Sequence, residues 1–209
     1  MTATRTPQDR AARPLTPAAR RILDAAEDLF YTRGINTVGM DLVAERAGVT
    51  KKTVYDRFGS KAALVARYLR ARDERWRAHL ESRTEPVPDP RGRVAATFDA
   101  LEEWLERDGP RGCAMVNAYA ELADPGHPGR AVAEGQKRWL RELYTGLTRE
   151  AGARDPGPLG DTLTMLHEGA VLARTVTGVP DAVRTARAAA DALLTAHGGG
   201  GGQGRGIRC

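Results

Sequence analysis

The chain has 209 residues, 41% hydrophobic and 28% charged, which is enough to bury a core and too apolar for disorder throughout. Its two cysteines, Cys113 and Cys209, exclude a disulfide framework and a metal-spaced cysteine cluster, and no apolar run approaches the roughly 18 residues of a membrane helix. The formal charge of +5 is uneven: the first seventy residues carry 13 basic and 7 acidic side chains, the remainder 19 and 20. That asymmetry predicts a basic N-terminal module facing an anionic partner and a near-neutral remainder with another task. The N-terminus has basic residues but no apolar signal core behind them, so a cytoplasmic protein with no membrane partner is expected.

Residues 1–15, rich in Arg, Thr and Pro, read as a flexible basic arm or an inert terminus. Thr16 and Pro17 then suit the N-cap and first position of a helix. Ile22, Ala25, Ala26, Leu29 and Phe30 follow helical spacing up to Gly34. A short second helix is expected over 41–47 and a third over 51–58, capped by Thr50 and ended by Gly59. Ser60 caps a long fourth helix over 60–82, with Leu64, Val65, Tyr68, Leu69 and Trp76 as its apolar stripe. The segment Glu-Pro-Val-Pro-Asp-Pro starting at Glu85 breaks the chain. Beyond it, Val94, Phe98, Leu101 and Leu105 mark a fifth helix, and 113–122 a sixth. Val132, Trp139, Leu140, Leu143 and Leu147 mark a seventh, 159–176 an eighth, and Val183, Ala186, Ala190, Leu193 and Leu194 a ninth that Pro180 opens. From Gly198 onward 7 of the 23 glycines fall within twelve residues, as in a disordered tail. No strand with sustained alternation is present, so the expected fold class is all-α, with about nine helices in two units. A helix-turn-helix domain spans 16–60, followed by a connecting helix, and a second helical domain spans 83–197.

The informative stretch runs from Met40 to Lys61, Met-Asp-Leu-Val-Ala-Glu-Arg-Ala-Gly-Val-Thr-Lys-Lys-Thr-Val-Tyr-Asp-Arg-Phe-Gly-Ser-Lys. Two short helices joined by a glycine turn form a helix-turn-helix pattern. Ala44 is small where the helices approach, Gly48 supports a tight turn, Val49 fills the space between them, and Val54 and Phe58 face inward. The opposite face of the third helix presents Lys51, Lys52, Thr53, Tyr55 and Arg57. Cations, a hydroxyl and a phenol on one short helix suit the DNA major groove. The start of that helix, from Thr50 to Thr53, also offers amide groups to a phosphate. A solvated charged helix in an ordinary bundle would show the same pattern with no DNA partner.

Residues 16–70 resemble the DNA-binding domain of TetR-family transcriptional regulators. The resemblance is carried by Ile-Leu-Asp-Ala-Ala from Ile22, by Leu-Val-Ala-Glu-Arg-Ala-Gly-Val from Leu42, and by Thr-Val-Tyr from Thr53 with the close Phe-Gly-Ser-Lys from Phe58. It implies that 51–58 is the recognition helix, that Thr50, Lys52, Thr53 and Tyr55 touch bases or phosphates, and that Lys61 contacts a phosphate. It also implies that Met40 and Asp41 open the supporting helix beside the DNA backbone. Two positions depart from the family pattern. Gly39 stands where Ser or Thr is usual, so a capping hydroxyl and its phosphate contact are missing. Asp56 stands where an aromatic, His or Arg is frequent; it either accepts from a cytosine amino group or pairs with Lys52 one turn away.

The resemblance further implies a homodimer on a palindromic double-stranded DNA operator, and a small-molecule ligand that changes the separation of the two recognition helices. The last two long helices, with Gly169, Ala170 and Ala173, are the expected dimer interface. The candidate ligand pocket comprises Phe98, Trp104, Met115, Asn117, Trp139 and His167, each of which also fits ordinary core packing. No cofactor other than an unidentified effector is implied, and four scattered histidines suggest no metal site. Cys113, just after Gly112 near a helix start, is a candidate sensor of oxidants or electrophiles, or else a small buried hydrophobe. No nucleophile constellation, paired acid site or phosphate-cradling glycine motif points to an enzyme. A sequence-neutral DNA-coating protein is the other reading that the basic first third allows.

Overall fold

A computed structural model of the chain describes residues 15–198. The expected basic arm with Arg5, Arg10 and Arg13, and all of the glycine-rich tail except Gly198, lie outside the described residues. Within them the chain forms nine helices and no strand: α1 (Pro17–Arg33), α2 (Met40–Arg46), α3 (Lys51–Phe58), α4 (Lys61–Thr84), α5 (Pro90–Asp108), α6 (Ala114–Glu121), α7 (Pro128–Glu150), α8 (Pro156–Thr175) and α9 (Ala182–His197).

Local chemistry sets most of these limits. The side chains of Thr16, Thr50, Ser60 and Asp89 each accept a hydrogen bond from the backbone N–H three residues on, satisfying one of the free donors at a helix start. The His127 Nδ1 does the same for Gly129 N at the start of α7. Proline occupies the opening of α1, α5, α7 and α8, where its missing N–H removes no helical bond. This is why α8 starts at Pro156 and not at residue 159: the Pro-Gly-Pro run lies in the first turn and opens the helix. By contrast, Pro180 stays outside α9, which begins at Ala182.

Apolar side chains gather into two clusters. The first holds the inner faces of α1, α2 and α3 with Leu64, Val65, Tyr68 and Leu69 of α4, and also Ala114, Met115 and Ala118 of α6. The second holds Trp76 and Leu80 of α4 with the inner stripes of α5, α7, α8 and α9. Helix α4 therefore runs through both cores, and α6, which sequence order assigns to the second unit, is packed into the first. Cys113 touches both clusters.

Helices α7 and α8 cross closely at Gly160. A Cβ on Gly160 would lie 2.7 Å from the Thr145 Cα and N, so only glycine lets the backbones meet there. Overpacking of this kind typically costs about 1–3 kcal/mol, and a chain of this size loses roughly 2–4 °C of thermal midpoint per kcal/mol. Gly160→Ala is thus expected to lower the midpoint by roughly 2–12 °C at fixed protein concentration. Gly157→Ala, in the same helix with open space around its Cβ, should leave it unchanged or raise it. Equal midpoints for the two variants would mean that α7 and α8 separate without cost.

Candidate DNA-binding face and the cavity behind it

On α3 the fully buried Val54 anchors the helix against α1 and α2, with Phe58 half-buried beside it. Gly48 at φ 63° makes the turn between α2 and α3, and Val49 N donates to Ala44 O across it at 3.0 Å. The outward face carries exposed Lys51, Lys52, Tyr55 and Arg57 and half-buried Thr53. At about 1.5 Å per residue its eight residues span roughly 12 Å, a length that fits a major groove of similar width.

The two lysines on this face are partnered. Lys51 Nζ donates to Asp41 Oδ2 at 2.8 Å, tying the starts of α2 and α3 together, and that bond holds its ammonium above the ordinary range. Lys52 Nζ donates to Asp56 Oδ2 at 2.9 Å, so Asp56 takes the one-turn pairing in the unbound chain. Thr50 Oγ1 caps Thr53 N and lies 2.8 Å from Thr53 Oγ1. Lys61 is half-buried at the start of α4; burial pushes its ammonium down, opposed by Glu121. Met40 departs from the expectation. Its side chain is buried in the first core, because the first turn of α2 packs against α1, which leaves only its backbone N–H for a DNA contact. Gly39 caps α2 with no side-chain bond, and a Cβ there would touch nothing within 4 Å.

Behind this head, α4 to α8 enclose a small cavity lined by Arg72, Asp73, Trp76, Trp104, Cys113, Met115, Gln136, Lys137, His167 and Glu168, among others. The cavity is small, about 60 Å³. Trp76 and Trp104 meet edge to face with centroids 5.4 Å apart. Thr97 Oγ1 donates to Val94 O at 2.7 Å, and Tyr144 Oη lies 2.9 Å from Thr97 Oγ1 and 3.0 Å from His167 Nδ1. With the Thr97 proton on Val94 O, Tyr144 donates to Thr97 and His167 Nδ1–H donates to Tyr144. His167 Nε2 is then left as an acceptor. Gln136 Oε1 and Asp73 Oδ1 are buried without partners.

Of the six pocket residues expected from sequence, Trp104, Met115 and His167 line this cavity. The other three do not. Phe98 is fully buried behind His167, with ring centroids 6.2 Å apart. Asn117 faces the head, its Nδ2 donating to Arg111 O at 2.9 Å, because α6 turns that side away from α5 and α8. Trp139 is half-buried at the edge of the second core, under the Arg77 guanidinium, which lies 4.1 Å from its ring centroid. Sequence reasoning missed Arg72, Gln136 and Lys137. The signal was present for two of them: Arg72 falls in register with Leu69 and Trp76, and Gln136 with Leu140, so each is a polar residue on an apolar stripe. Among the described residues no group of three His, Cys, Asp or Glu side chains is placed to hold a metal ion.

Helix α6 joins the cavity to the head. Tyr31 Oη donates to Gly112 O at 2.9 Å and accepts from Arg111 N at 3.0 Å, and Arg111 Nη1 donates to Tyr31 O at 2.7 Å. At its far end, Asn36 N donates to Glu121 Oε2 at 2.9 Å and Asn36 Nδ2 to Glu121 O at 2.8 Å.

Comparison with known proteins agrees with this layout. Residues 22–68 match the family described as bacterial regulatory proteins, tetR family. The fold superposes on SCO4454, a TetR-family transcriptional regulator from Streptomyces coelicolor, with a TM-score of 0.82 and 30% identity over 88% of this chain and 97% of that one. An uncharacterised HTH-type transcriptional regulator of Mycobacterium tuberculosis, Rv1255c, is 33% identical over 158 residues, covering 66% of this chain and 77% of its own length. The HTH-type transcriptional activator FasR of Mycolicibacterium smegmatis is 32% identical over 88 residues, and this match spans 42% of the chain and 40% of FasR.

The buried His167 makes stability depend on pH. Burial pushes its pKa down from the ordinary 6.5 to about 4. The unfolded chain takes up this proton as pH falls through about 6.5, while the folded chain resists it until about 4. Its contribution is therefore complete above pH 6.5 and declines below, by up to about 1.4 kcal/mol per pH unit. The stability difference between wild type and His167→Gln, measured by urea unfolding, should shrink from pH 7.5 to pH 4.5. A difference that stays constant across that window would refute a neutral buried ring.

Proposed function

The chain belongs to the TetR family of bacterial regulatory proteins and is a DNA-binding regulator of transcription; from that premise we propose that it is a homodimeric repressor, released from a near-palindromic operator by a small molecule in the α4–α8 cavity. One observation carries this reading: the segment from Gly112 to Met115 both lines the cavity and is bonded to the head through Tyr31. A ligand that displaces this segment also displaces the start of α6, and with it α1 and the recognition helix. A coupling of about 1–3 kcal/mol, or 5–150-fold in DNA affinity, is typical of such switches.

Thr50, Lys51, Lys52, Thr53, Tyr55 and Arg57 are assigned to bases and phosphates of one half-site, Lys61 to a phosphate, and Asp41 to a place beside the backbone as the partner of Lys51. The dimer is assigned to α8 and α9. Met165 and Leu172 of α8 and Val176 just past its end are large, apolar and exposed, with exposed Gly169 between the first two. Single protomers seldom leave such a stripe open. Ala170 has no part in it, since it faces the core of its own protomer. No helix among the described residues is long and apolar enough to cross a membrane, and the proposed place of action is the cytoplasm. Because FasR is named an activator, the direction of control is assigned by experiment, through a reporter whose promoter carries the selected operator.

Selection of bound sequences from a random duplex pool should yield a near-palindrome with half-sites roughly one helical turn apart. The protein should bind it at least about 10³-fold more tightly than random duplex at physiological salt. Equal affinities would favour a DNA-coating protein instead. Lys61→Ala should weaken binding to all sequences and reduce the salt slope by about 1, whereas changes at Thr53 or Tyr55 should alter the preferred sequence.

Gly39 gives a gain-of-function test. Gly39→Ser fits without contact, restores an N-cap hydroxyl to α2, and is expected to raise operator affinity about two- to tenfold by adding one phosphate hydrogen bond. Gly39→Ala should not. Identical affinities for the two variants would place the start of α2 away from the DNA backbone.

A further inference from the structure

The cavity wall holds a group that the regulator reading leaves without a task. Cys113 is the N-cap residue of α6, half-buried, and its side chain makes no capping bond. Its Sγ lies 3.2 Å from Lys137 Nζ on α7, which also donates to Glu168 Oε1 on α8 at 2.7 Å. Burial works against the Lys137 ammonium, yet the adjacent sulfur and carboxylate hold it above its ordinary value. The ammonium is thereby held in contact with the sulfur, in place to steady charge that develops during an addition at that atom.

Independent features point to a ligand at this sulfur. Gln136 is 5% exposed and lines the same cavity, with Oε1 lacking any partner. That atom can only accept, so its complement is an N–H or O–H donor. Trp76 and Trp104 supply flat apolar walls suited to a planar molecule. A surface groove along α6, α7 and α8 shares Met115, Lys137 and Glu168 with the cavity. The ion pair thus stands between cavity and solvent, and an entering molecule meets Lys137 beside Cys113.

We infer that Cys113 is a modification site: its sulfur captures a small planar α,β-unsaturated carbonyl compound bearing an N–H or O–H donor, and the adduct releases DNA, an inference that rests on the cavity being the effector site. The thiol proton passes to water, the sulfur electron pair forms a C–S bond to the β-carbon, and the C=C π pair moves onto the carbonyl as an enolate. The enolate takes a proton at its α-carbon from the Lys137 ammonium, and water restores that proton. No oxidant or reductant is consumed. Glu168 keeps Lys137 charged and aimed at the sulfur, and Gln136 Oε1 orients the donor group. The adduct enlarges a side chain flanked by Gly112, which holds Tyr31, and by Ala114, which is part of the head core. The cavity has little spare room, so the strain falls on α6.

Maleimide, a planar enone with an imide N–H, is a suitable probe. At pH 7 Cys113 in the native protein should react at least tenfold faster than Cys113 in the urea-unfolded chain, followed by peptide mass analysis. Lys137→Met should remove at least tenfold of that rate and Lys137→Arg should recover most of it. Gln136→Leu should erase the preference for maleimide over N-methylmaleimide, which lacks the donor. The single adduct should weaken binding to the selected operator at least tenfold, with Cys113→Ser protein unaffected by the reagent. A native rate no higher than the unfolded one, indifference to Lys137→Met, or an adduct that binds operator normally would each overturn the inference. The rate measurements involve no DNA. Untreated protein that prefers its operator while Cys113 stays inert leaves the regulator reading standing alone. Untreated protein with no sequence preference removes that reading instead.

Discussion

One guanidinium ties the head to the body. Arg72, nearly fully buried in the middle of α4, is 3.4 Å from Glu27 of α1, donates to the Asp108 carbonyl at the end of α5, and stacks 4.2 Å from the Tyr31 ring centroid. It also lines the cavity. Burying a charge is costly unless it is paired and its donors are used; here the pairing and stacking partners come from α1 and α5. The angle between head and body is therefore set where these partners meet. Tyr31 is the second half of the joint: its ring lies against Arg72 while its hydroxyl holds both Arg111 and Gly112. A shift of α6 cannot leave Tyr31 in place, and a shift of Tyr31 cannot leave Arg72 in place. Two apolar cores alone would slide, whereas this polar joint makes their relative position discrete.

The same reasoning explains why the cavity stays polar. Thr97, Tyr144 and His167 form a closed chain of hydrogen bonds across α5, α7 and α8, and burial keeps His167 neutral. Such a network fixes three helices in one arrangement without adding charge. Gln136 and Asp73, next to it, are not closed. An unpartnered buried acceptor typically costs about 1–3 kcal/mol, and the fold carries two of them on the cavity side. Rigid wall on one side and unmet acceptors on the other give a site that is held open and incomplete.

Much of the architecture was legible in the sequence because its determinants are local. Capping residues before proline, glycines after the last apolar position, and the spacing of Leu64, Val65, Tyr68, Leu69 and Trp76 each act within a turn or two. The Lys52–Asp56 pairing belongs to the same class. What was not legible depended on which way a helix faces. Asn117 and Met115 are two residues apart on α6, and only the docking of α6 onto α1 decides that one meets Arg111 and the other the cavity. Trp139 packs at the edge of the second core, as its size suggests, with Arg77 over its other face, and so does not reach the cavity. The membership of α6 in the head core was hidden for the same reason, since sequence order says nothing of a contact spanning about eighty positions such as Tyr31 to Gly112.

The charge asymmetry of the first seventy residues takes a different meaning in the folded chain. Many of its cations are already paired: Arg46 with Asp28, Lys51 with Asp41, Lys52 with Asp56, Arg67 with Glu74. Surface pairs of this kind are worth little, typically about 0–1 kcal/mol, so a phosphate can displace the carboxylate at small cost. In the proposed complex, displacement leaves Asp41 beside the backbone, where it repels phosphates, and Asp56 near the bases, where it accepts only from base amino groups. A face built of cations alone would hold any duplex. On the proposed DNA-binding role, a recognition helix whose lysine brings its own acid favours sequences that place an amino donor near the released Asp56 carboxylate.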